Sequence, residues 1–516
     1  MRKMPALALL SRNIWVVFVL GCACALYAPL CWNGTIGELG NSDATFYLLM
    51  AEHYSPWAAA DPVIAQAAAA SRFPPIYPLA IAWLGNPANF YVVHMLTGSM
   101  LIGALATFYV WLRVEGAAAA AAALLVLAFA ALRGSWLLAL SINSEFLYLL
   151  FSTLALVLIA VSVRPQRHAL LYAAAVAVAL ASLTRAAGIA LFAPLLIGAI
   201  RQQPKALPLI LLIAVAPQIE WHLLHGAASY GSILGGVYRN DPLGTLVSQL
   251  RAELPALNSG FSANFLDNPR PSVFAGLLGL ACLTALVWRV ALGRPDAIYV
   301  LAYGLMLLIW PYPGEARRFI WPVVGLLLAQ PLLLFGPQRS IGSKAPAWPL
   351  AVVATAVALL SLPALVRAAD RYRDGPYQSG LPSARGYEAW YGRDPALAVH
   401  DVNVQITLID TIRRIPEKVS GQDCVLSIRP EFIQLFAHRR SDFPPPDSLP
   451  DPKFFNELRA SGCHYAFVST TLDSRYPIPL YPVQRLAEPL DVLDNSGVVD
   501  PPPGESFVTA MLVRLN

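Results

Sequence analysis

The sequence predicts an α-helical polytopic membrane protein that ends in a soluble α/β domain. Three observations carry this reading. The 516 residues are 57% hydrophobic and only 13% charged, with a mean hydropathy of +0.55, whereas a soluble globular domain is about one quarter charged. The apolar residues form long runs separated by short charged segments. From Asp370 onward charge and proline rise and no spanning run recurs. So much apolar surface exceeds what a soluble core can bury, and a bilayer is the solvent that accepts it.

In chain order, apolar runs near 13–31, 90–112, 116–132, 144–163, 168–183, 187–200, 206–225, 272–292, 297–311, 318–336 and 347–366 give about eleven candidate transmembrane helices. The first run follows Arg2 and Lys3 but is too long for a signal-peptide core and lacks a small-x-small cleavage site, so it reads as a retained span. With the N-terminus in the cytoplasm, Arg113, Arg164, Arg167, Arg201, Lys205, Arg289, Arg294, Arg339 and Lys344 all fall inside, as the positive-inside rule expects. Both flanks of 168–200 are basic, so that stretch divides into two crossings joined by a tight outward turn at Thr184-Arg185. The outer face then holds a loop at 32–89, the segment 133–143, a loop at 226–271, the segment 312–318 and the tail. A transmembrane domain is expected at 1–366 and a periplasmic domain at 367–516, in an inner-membrane setting.

The tail reads as an amphipathic helix at Asn403–Val419, a strand at Cys424-Val-Leu-Ser-Ile, a helix at Lys453–Ala460 and a strand at Cys463-His-Tyr-Ala-Phe-Val. Strand, helix, strand suggests a parallel βαβ unit. If the two strands pair in register, about 4.8 Å apart, a Cys424–Cys463 disulfide is feasible in an oxidising compartment. Two buried thiols are the alternative.

Several classes are disfavoured. The net charge of +5 contains no Lys/Arg block, which argues against nucleic acid. There is no Gly-rich nucleotide loop or nucleophile elbow, which argues against a cytosolic nucleotide-sugar enzyme. The six cysteines lack metal-ligand spacing, and Cys22, Cys24, Cys31 and Cys282 read as small apolar residues in or beside spans. His222 and His225 stand at i, i+3 with only Glu220 near them, and no histidine forms a metal-spaced cluster with acids.

The scarce polar residues can be weighed singly. Asp43 starts an amphipathic run, Asp43–Tyr54, with Phe46, Leu49 and Met50 on one face, suited to lie along a membrane surface. It is a carboxylate placed to remove a proton or a helix N-cap, and the two roles are compatible. Arg72 precedes Pro74-Pro75, whose fixed φ stiffens the chain; there it either neutralises a phosphate leaving group or contacts lipid headgroups. Tyr77 packs or hydrogen-bonds. Glu145 opens an apolar run, where ionisable groups usually face a protein cavity. It orients Arg72 or Arg185, binds an acceptor, or simply answers the helix dipole. Arg185, the only charge between two short runs, is a phosphate ligand, a partner of Glu145 or an interfacial anchor. Arg317 and Arg318 break the positive-inside trend and point to an anionic partner, Glu315 satisfying one and leaving the other for a lipid phosphate.

Taken together, Ser42-Asp43-Ala-Thr-Phe-Tyr47, Arg72-Phe-Pro-Pro-Ile-Tyr-Pro, Asn143-Ser144-Glu145-Phe-Leu-Tyr148 and Ser182-Leu-Thr-Arg185-Ala-Ala-Gly188, with a weaker Arg317-Arg318-Phe319-Ile-Trp-Pro322, resemble a known pattern. Their order and spacing over roughly residues 10–340 are similar to bacterial members of the GT-C superfamily, integral-membrane glycosyltransferases that use polyprenyl-phosphate sugars. The nearest in pattern are the aminoarabinose and protein-mannose transferases. The related lipid A transferases carry a lysine directly before the paired prolines, whereas Arg72 is separated from them by Phe73. The resemblance implies a GT-C-like fold that moves a monosaccharide from a polyprenyl-phosphate carrier to a lipid, glycan or protein acceptor at the outer face. It implies Asp43 as catalytic base, sometimes with a divalent metal (Mg or Mn), and Arg72, Tyr77, Glu145, Arg185, Arg317 and Arg318 as substrate and phosphate ligands. The competing classes are a transporter or flippase of a lipid-linked or anionic substrate, though no internal repeat is detectable, and an inactive assembly subunit.

Overall fold

The computed structural model describes residues 6–32, 34, 36, 42–71, 73–163, 167–224, 230–239, 241–265, 273–310, 315–334, 359, 366, 395–470, 480–485, 491–499 and 506–515. In chain order the helices are α1 Ala6–Cys31, α2 Ser42–Tyr54, α3 Pro62–Ala69, α4 Ile76–Leu84, α5 Phe90–Val114, α6 Ala119–Ala130, α7 Arg133–Ala139, α8 Glu145–Ser162, α9 Leu170–Ser182, α10 Phe192–Gln202, α11 Leu207–Leu224, α12 Tyr230–Tyr238, α13 Pro242–Ala263, α14 Val273–Ala291, α15 Pro295–Leu308 and α16 Ala316–Leu334. The tail adds α17 Pro395–Lys418, α18 Pro430–Ala437, α19 Asp451–Ala460 and five strands. The chain divides into two compact units: Met1–Trp32, Pro74–Tyr77 and His94–Pro376 form the first, and Asn33–Phe73, Pro78–Val93 and Tyr377–Asn516 the second.

Each apolar run up to 318–336 contains a helix among the described residues, while 347–366 lies outside them apart from Leu359 and Val366. Four stretches are long and apolar enough to cross a bilayer: α5, α8, Pro204–Leu224 and α16. Two bent pairs, α6 with α7 at 58° and α14 with α15 at 119°, raise the number to six if each pair is one span. The described residues therefore hold four to six spans by this test, against the eleven expected from the apolar runs. α9 and α10, at 13 and 11 residues, fall short of the ~20 needed to cross.

The expected loop at 226–271 is largely helical. Asp241 caps α13, its Oδ1 accepting from the Gly244 amide at 2.9 Å, and Pro242 occupies the first helical position. The last turn of α13 lies close against α16: a Cβ on Gly260 would stand 2.8 Å from both Ala316 C and Arg317 N. At the other end of α16 a buried network joins α14, α15 and α16. Arg289 Nη2 donates to both oxygens of Asp296 at 2.8 and 2.9 Å and to Glu115 at 3.2 Å. Its Nε donates to Gln330 Oε1 at 2.9 Å, and Gln330 Nε2 returns to Asp296 at 3.0 Å.

The described residues of the expected loop at 32–89 form α2, α3 and α4, of which α2, α3 and the part of α4 from Pro78 lie in the second unit. The reading of Asp43–Tyr54 as a surface helix is corrected here. Ala44, Thr45, Tyr47, Leu48, Leu49, Met50 and Ala51 are all buried, so α2 is enclosed on most sides instead of along one stripe. It packs against α3 and α18, and Phe73 covers Phe46 and Tyr47 with ring centroids 5.6 and 5.2 Å away.

The tail forms a five-stranded sheet of order β2-β1-β3-β5-β4, with β1 Cys424–Leu426, β2 Arg440–Asp442, β3 Tyr465–Ser469, β4 Asp491–Val499 and β5 Ser506–Arg514. The parallel β1–β3 pair matches the expected βαβ unit, with Val425 opposite Tyr465. Not foreseen were α18, β2, which adds parallel to β1, and the antiparallel β4–β5 pair along β3. Cys424 and Cys463 form a disulfide with Cα atoms 4.4 Å apart. The bridge closes a loop of 39 residues, which corresponds to about 4 kcal/mol of lost chain entropy in the unfolded state. Replacing both cysteines by serine is expected to destabilise the tail by about 2–4 kcal/mol, read as earlier protease cleavage within 395–515 in the full-length protein. Unchanged cleavage would show that the bridge contributes nothing.

Candidate functional site

In the first unit the chain before α8 is arranged to start a helix with an acid. Asn143 Nδ2 donates to Ser141 O at 2.9 Å, and its Oδ1 accepts from the Glu145 amide at 3.3 Å, satisfying one of the free amides at the start of α8. Glu145 thereby enters the first turn of α8 with its side chain fully buried. Its Oε1 accepts from Arg185 Nη1 at 2.6 Å and from Arg318 Nε. Arg185 also donates to Ser144 Oγ at 3.3 Å and lies over the Phe319 ring, 5.6 Å from its centroid. Glu315, which is exposed, stands 3.9 Å from Arg318 Nη1. Glu145 Oε2 has no hydrogen-bond partner among the described residues. Two guanidiniums thus share one buried carboxylate.

The sequence at 182–188 explains how Arg185 arrives there. α9 ends at Ser182, and Thr184 Oγ1 bonds back to Leu180 O at 2.7 Å. Arg185 then takes an extended conformation before a short 3-10 helix, Ala186–Leu191. The Leu183 carbonyl, left over at the helix end, accepts from the Ile76 amide at 3.0 Å. Gly188 closes the turn by donating to Arg185 O at 2.9 Å. A Cβ at 188 would lie 2.4 Å from Ser182 Cα, so only glycine lets the chain fold back this tightly.

Beside the cluster sits an aromatic wall that sequence reading passed over. Tyr148 and Tyr299 share a buried hydroxyl–hydroxyl bond of 2.7 Å, and Tyr303 donates to Phe319 O at 2.7 Å. Each residue lies in an apolar helix, where a tyrosine reads as core. Arg133, buried at the start of α7, was also overlooked; its Nη1 donates to Ala263 O at 3.4 Å. Of the remaining expected site residues, Tyr77 is buried and hydrogen-bonds Thr97 Oγ1 at 2.8 Å. The backbone carbonyl of Arg317 accepts from Asn264 Nδ2 at 3.3 Å, while the Glu145 ion pairs are those of Arg185 and Arg318. Arg72 lies outside the described residues.

Asp43 belongs to the second unit. It stands half-buried in the first turn of α2, where the dipole favours a carboxylate, and not ahead of the helix as an N-cap. At the other end of α2, Glu52 and Asp61 face one histidine. Asp61 Oδ2 lies 2.8 Å from His438 Nδ1, and Glu52 Oε1 lies 3.7 Å from His438 Nε2. Asp61 also caps α3, its Oδ1 accepting from Val63 N at 2.7 Å and Ile64 N at 3.3 Å. Partial burial raises the Asp61 carboxyl, but the His438 hydrogen bond and the two amides outweigh it and hold it below its ordinary value. Burial pushes Glu52 up, with His438 opposing and the Asp61 charge adding.

Among the described residues no group of three His, Cys, Asp or Glu side chains is placed to hold a metal ion.

No family model and no curated protein matches the chain, but solved structures share its fold. ArnT from Cupriavidus metallidurans in the apo state aligns with a TM-score of 0.51 at 14% identity over 98% of each chain. ArnT from the same organism bound to undecaprenyl phosphate aligns with a TM-score of 0.50 at 13% identity, over 97% of this chain and 98% of the other. At that identity the likeness establishes the fold.

Two outcomes are expected from these clusters. Glu145→Gln removes the buried carboxylate that Arg185 and Arg318 share and should lower stability by about 3–5 kcal/mol, seen as a depressed Tm of the purified protein; an unchanged Tm would mean that the Glu145 carboxylate is not held as described. For Asp61, a lowered folded value means its stabilisation is full above the ordinary aspartate range and is lost as pH falls through the lowered value. The stability difference between wild type and Asp61→Asn should therefore be present at neutral pH and vanish in acid, and a pH-independent difference would refute the assignment.

Proposed function

We propose, from the GT-C fold that this chain shares with ArnT, that it is a multi-pass membrane glycosyltransferase. It moves a monosaccharide from a polyprenyl-phosphate carrier to a lipid, glycan or protein acceptor at the outer face of the membrane, with the N-terminus cytoplasmic and the domain at 367–516 periplasmic. The observation that carries this reading is the pairing of Arg185 and Arg318 on the buried carboxylate of Glu145. Guanidiniums held in largely apolar surroundings suit an anionic headgroup, and the fold neighbour was solved with a lipid phosphate.

In this reading Asp43 is the general base. It takes the proton from the acceptor hydroxyl as that oxygen attacks the anomeric carbon. The bond from that carbon to the phosphate oxygen breaks, and the configuration inverts. The electron pair leaves with the polyprenyl phosphate, whose growing charge is met by Arg185 and Arg318, with Arg72 and Arg317 as further ligands. Glu145 holds the two guanidiniums at fixed positions, so little reorganisation accompanies the charge development.

Asp43→Asn should reduce transfer of radiolabelled sugar from a synthetic polyprenyl-phosphate donor to membrane acceptors by about 10²–10⁴-fold, the usual worth of a general base, with an unchanged elution profile and Tm. Wild-type rates in that variant would remove Asp43 from the mechanism. Movement of intact lipid without sugar transfer by the wild-type protein would replace the enzyme by a transporter.

A further inference from the structure

We propose that His438 of the tail is a positioning residue for Asp43, acting through α2. This rests on the role assigned to Asp43 above. His438 is the C-cap of α18 and sits in the left-handed region at φ 51°, ψ 42°. That conformation is disfavoured for an L-residue, and here it coincides with a ring whose two nitrogens face Glu52 and Asp61. Glu52 is in the last turns of α2 and Asp61 caps α3, so one imidazole bridges both helices to the tail.

The surrounding contacts make the bridge a fixed point. α18 packs on both α2 and α3. Phe436 of α18 meets Phe90, with ring centroids 6.2 Å apart, and Arg413 of α17 lies 5.7 Å above the Phe436 ring. The charged neighbour Arg439 is turned elsewhere, its Nε donating to Val419 O at 3.1 Å and its Nη1 to the His438 carbonyl at 3.2 Å. Asp43 and Glu52 stand at opposite ends of the same 13-residue helix, about 14 Å apart at 1.5 Å per residue. A helix this short moves as a rigid rod, so a shift where Glu52 is held is carried to Asp43. A displacement of about 1 Å at a reacting group costs up to about 10²-fold in rate. α18 and β2, which flank His438, thus make the tail part of the catalytic apparatus without placing a tail residue on the substrate.

The test uses the full-length protein. His438→Gly removes the ring while leaving the left-handed backbone accessible, and His438→Asn keeps both that conformation and a short polar side chain. Hydrogen exchange of the peptide covering 44–54 should rise in His438→Gly and recover partly in His438→Asn. The kcat for sugar transfer should fall about 10–100-fold with the donor KM changed less than about threefold, and Asp61→Asn added to His438→Gly should cost little more. Unchanged exchange in His438→Gly would overturn the bridge whatever the activity of the protein. Raised exchange with unchanged kcat, while Asp43→Asn is inactive, would overturn the link to Asp43. Full activity of Asp43→Asn would instead fail the functional reading and leave the exchange result to decide the bridge alone.

Discussion

The first unit is organised around one oxygen atom. Glu145 Oε1 is met by Arg185 and by Arg318, and these three residues come from the start of α8, the break after α9 and the first turn of α16. Burying a carboxylate carries a penalty of several kcal/mol unless its partners are well placed, so each contributing element must deliver its charge accurately. The local peculiarities of the sequence follow from that demand. Asn143 accepts from the Glu145 amide where α8 begins, holding the acid that opens the helix. Gly188 lets the chain turn back within 2.4 Å of where a Cβ would strike Ser182. Gly260 lets α13 approach the backbone of Ala316 and Arg317, which fixes the start of α16 and with it the direction of Arg318.

The fold was legible where hydropathy decides it and illegible where helix ends do. Apolar runs mark helices because lipid requires every backbone group to be satisfied within the segment. The span count parted from the number of apolar runs because several runs form helices too short to cross, such as α9 and α10 at 13 and 11 residues, and apolar character marks a helix without fixing its length. Segments 32–89 and 226–271 were read as loops because they lie between apolar runs, yet they hold helices, and Pro62 and Pro242 each occupy the first position of one, where a missing amide is harmless. In the tail, β1 and β3 were read from their apolar character. β2 is three residues long, and β4 contains Asp491, Asp494, Asn495 and Gly497; its conformation comes from pairing with β5, a non-local cause that composition does not carry.

The site was legible as a set of charges and only partly as a set of contacts. A Glu145–Arg185 pair was among the readings of the sequence because both charges stand alone in apolar surroundings. Arg317 and Arg318 could not be separated, since successive helical residues point about 100° apart and only the phase of α16 decides which one reaches Glu145. The His438–Asp61 contact spans 377 positions, and nothing near either residue signals it. Its one local clue is the left-handed backbone at His438, a conformation visible only in three dimensions.

The two buried ionic clusters of the first unit differ in make-up, and that difference separates structure from chemistry. Around Arg289 the carboxylates of Asp296 and Glu115 exceed the directly bonded guanidinium, and the charge of Arg294 acts on Glu115 as well. Gln330 bonds both Arg289 and Asp296 and closes the ring, so the cluster is near neutrality and fully hydrogen-bonded. It behaves as a clamp on three helices. Around Glu145 two guanidiniums meet one carboxylate, and Glu315, exposed and 3.9 Å from Arg318, is a further acid. Charges held in apolar surroundings are stable when they compensate one another or when a ligand completes them. The Arg289 cluster is of the first kind. In the proposed function, the Arg185 and Arg318 guanidiniums that Glu145 holds meet the donor phosphate.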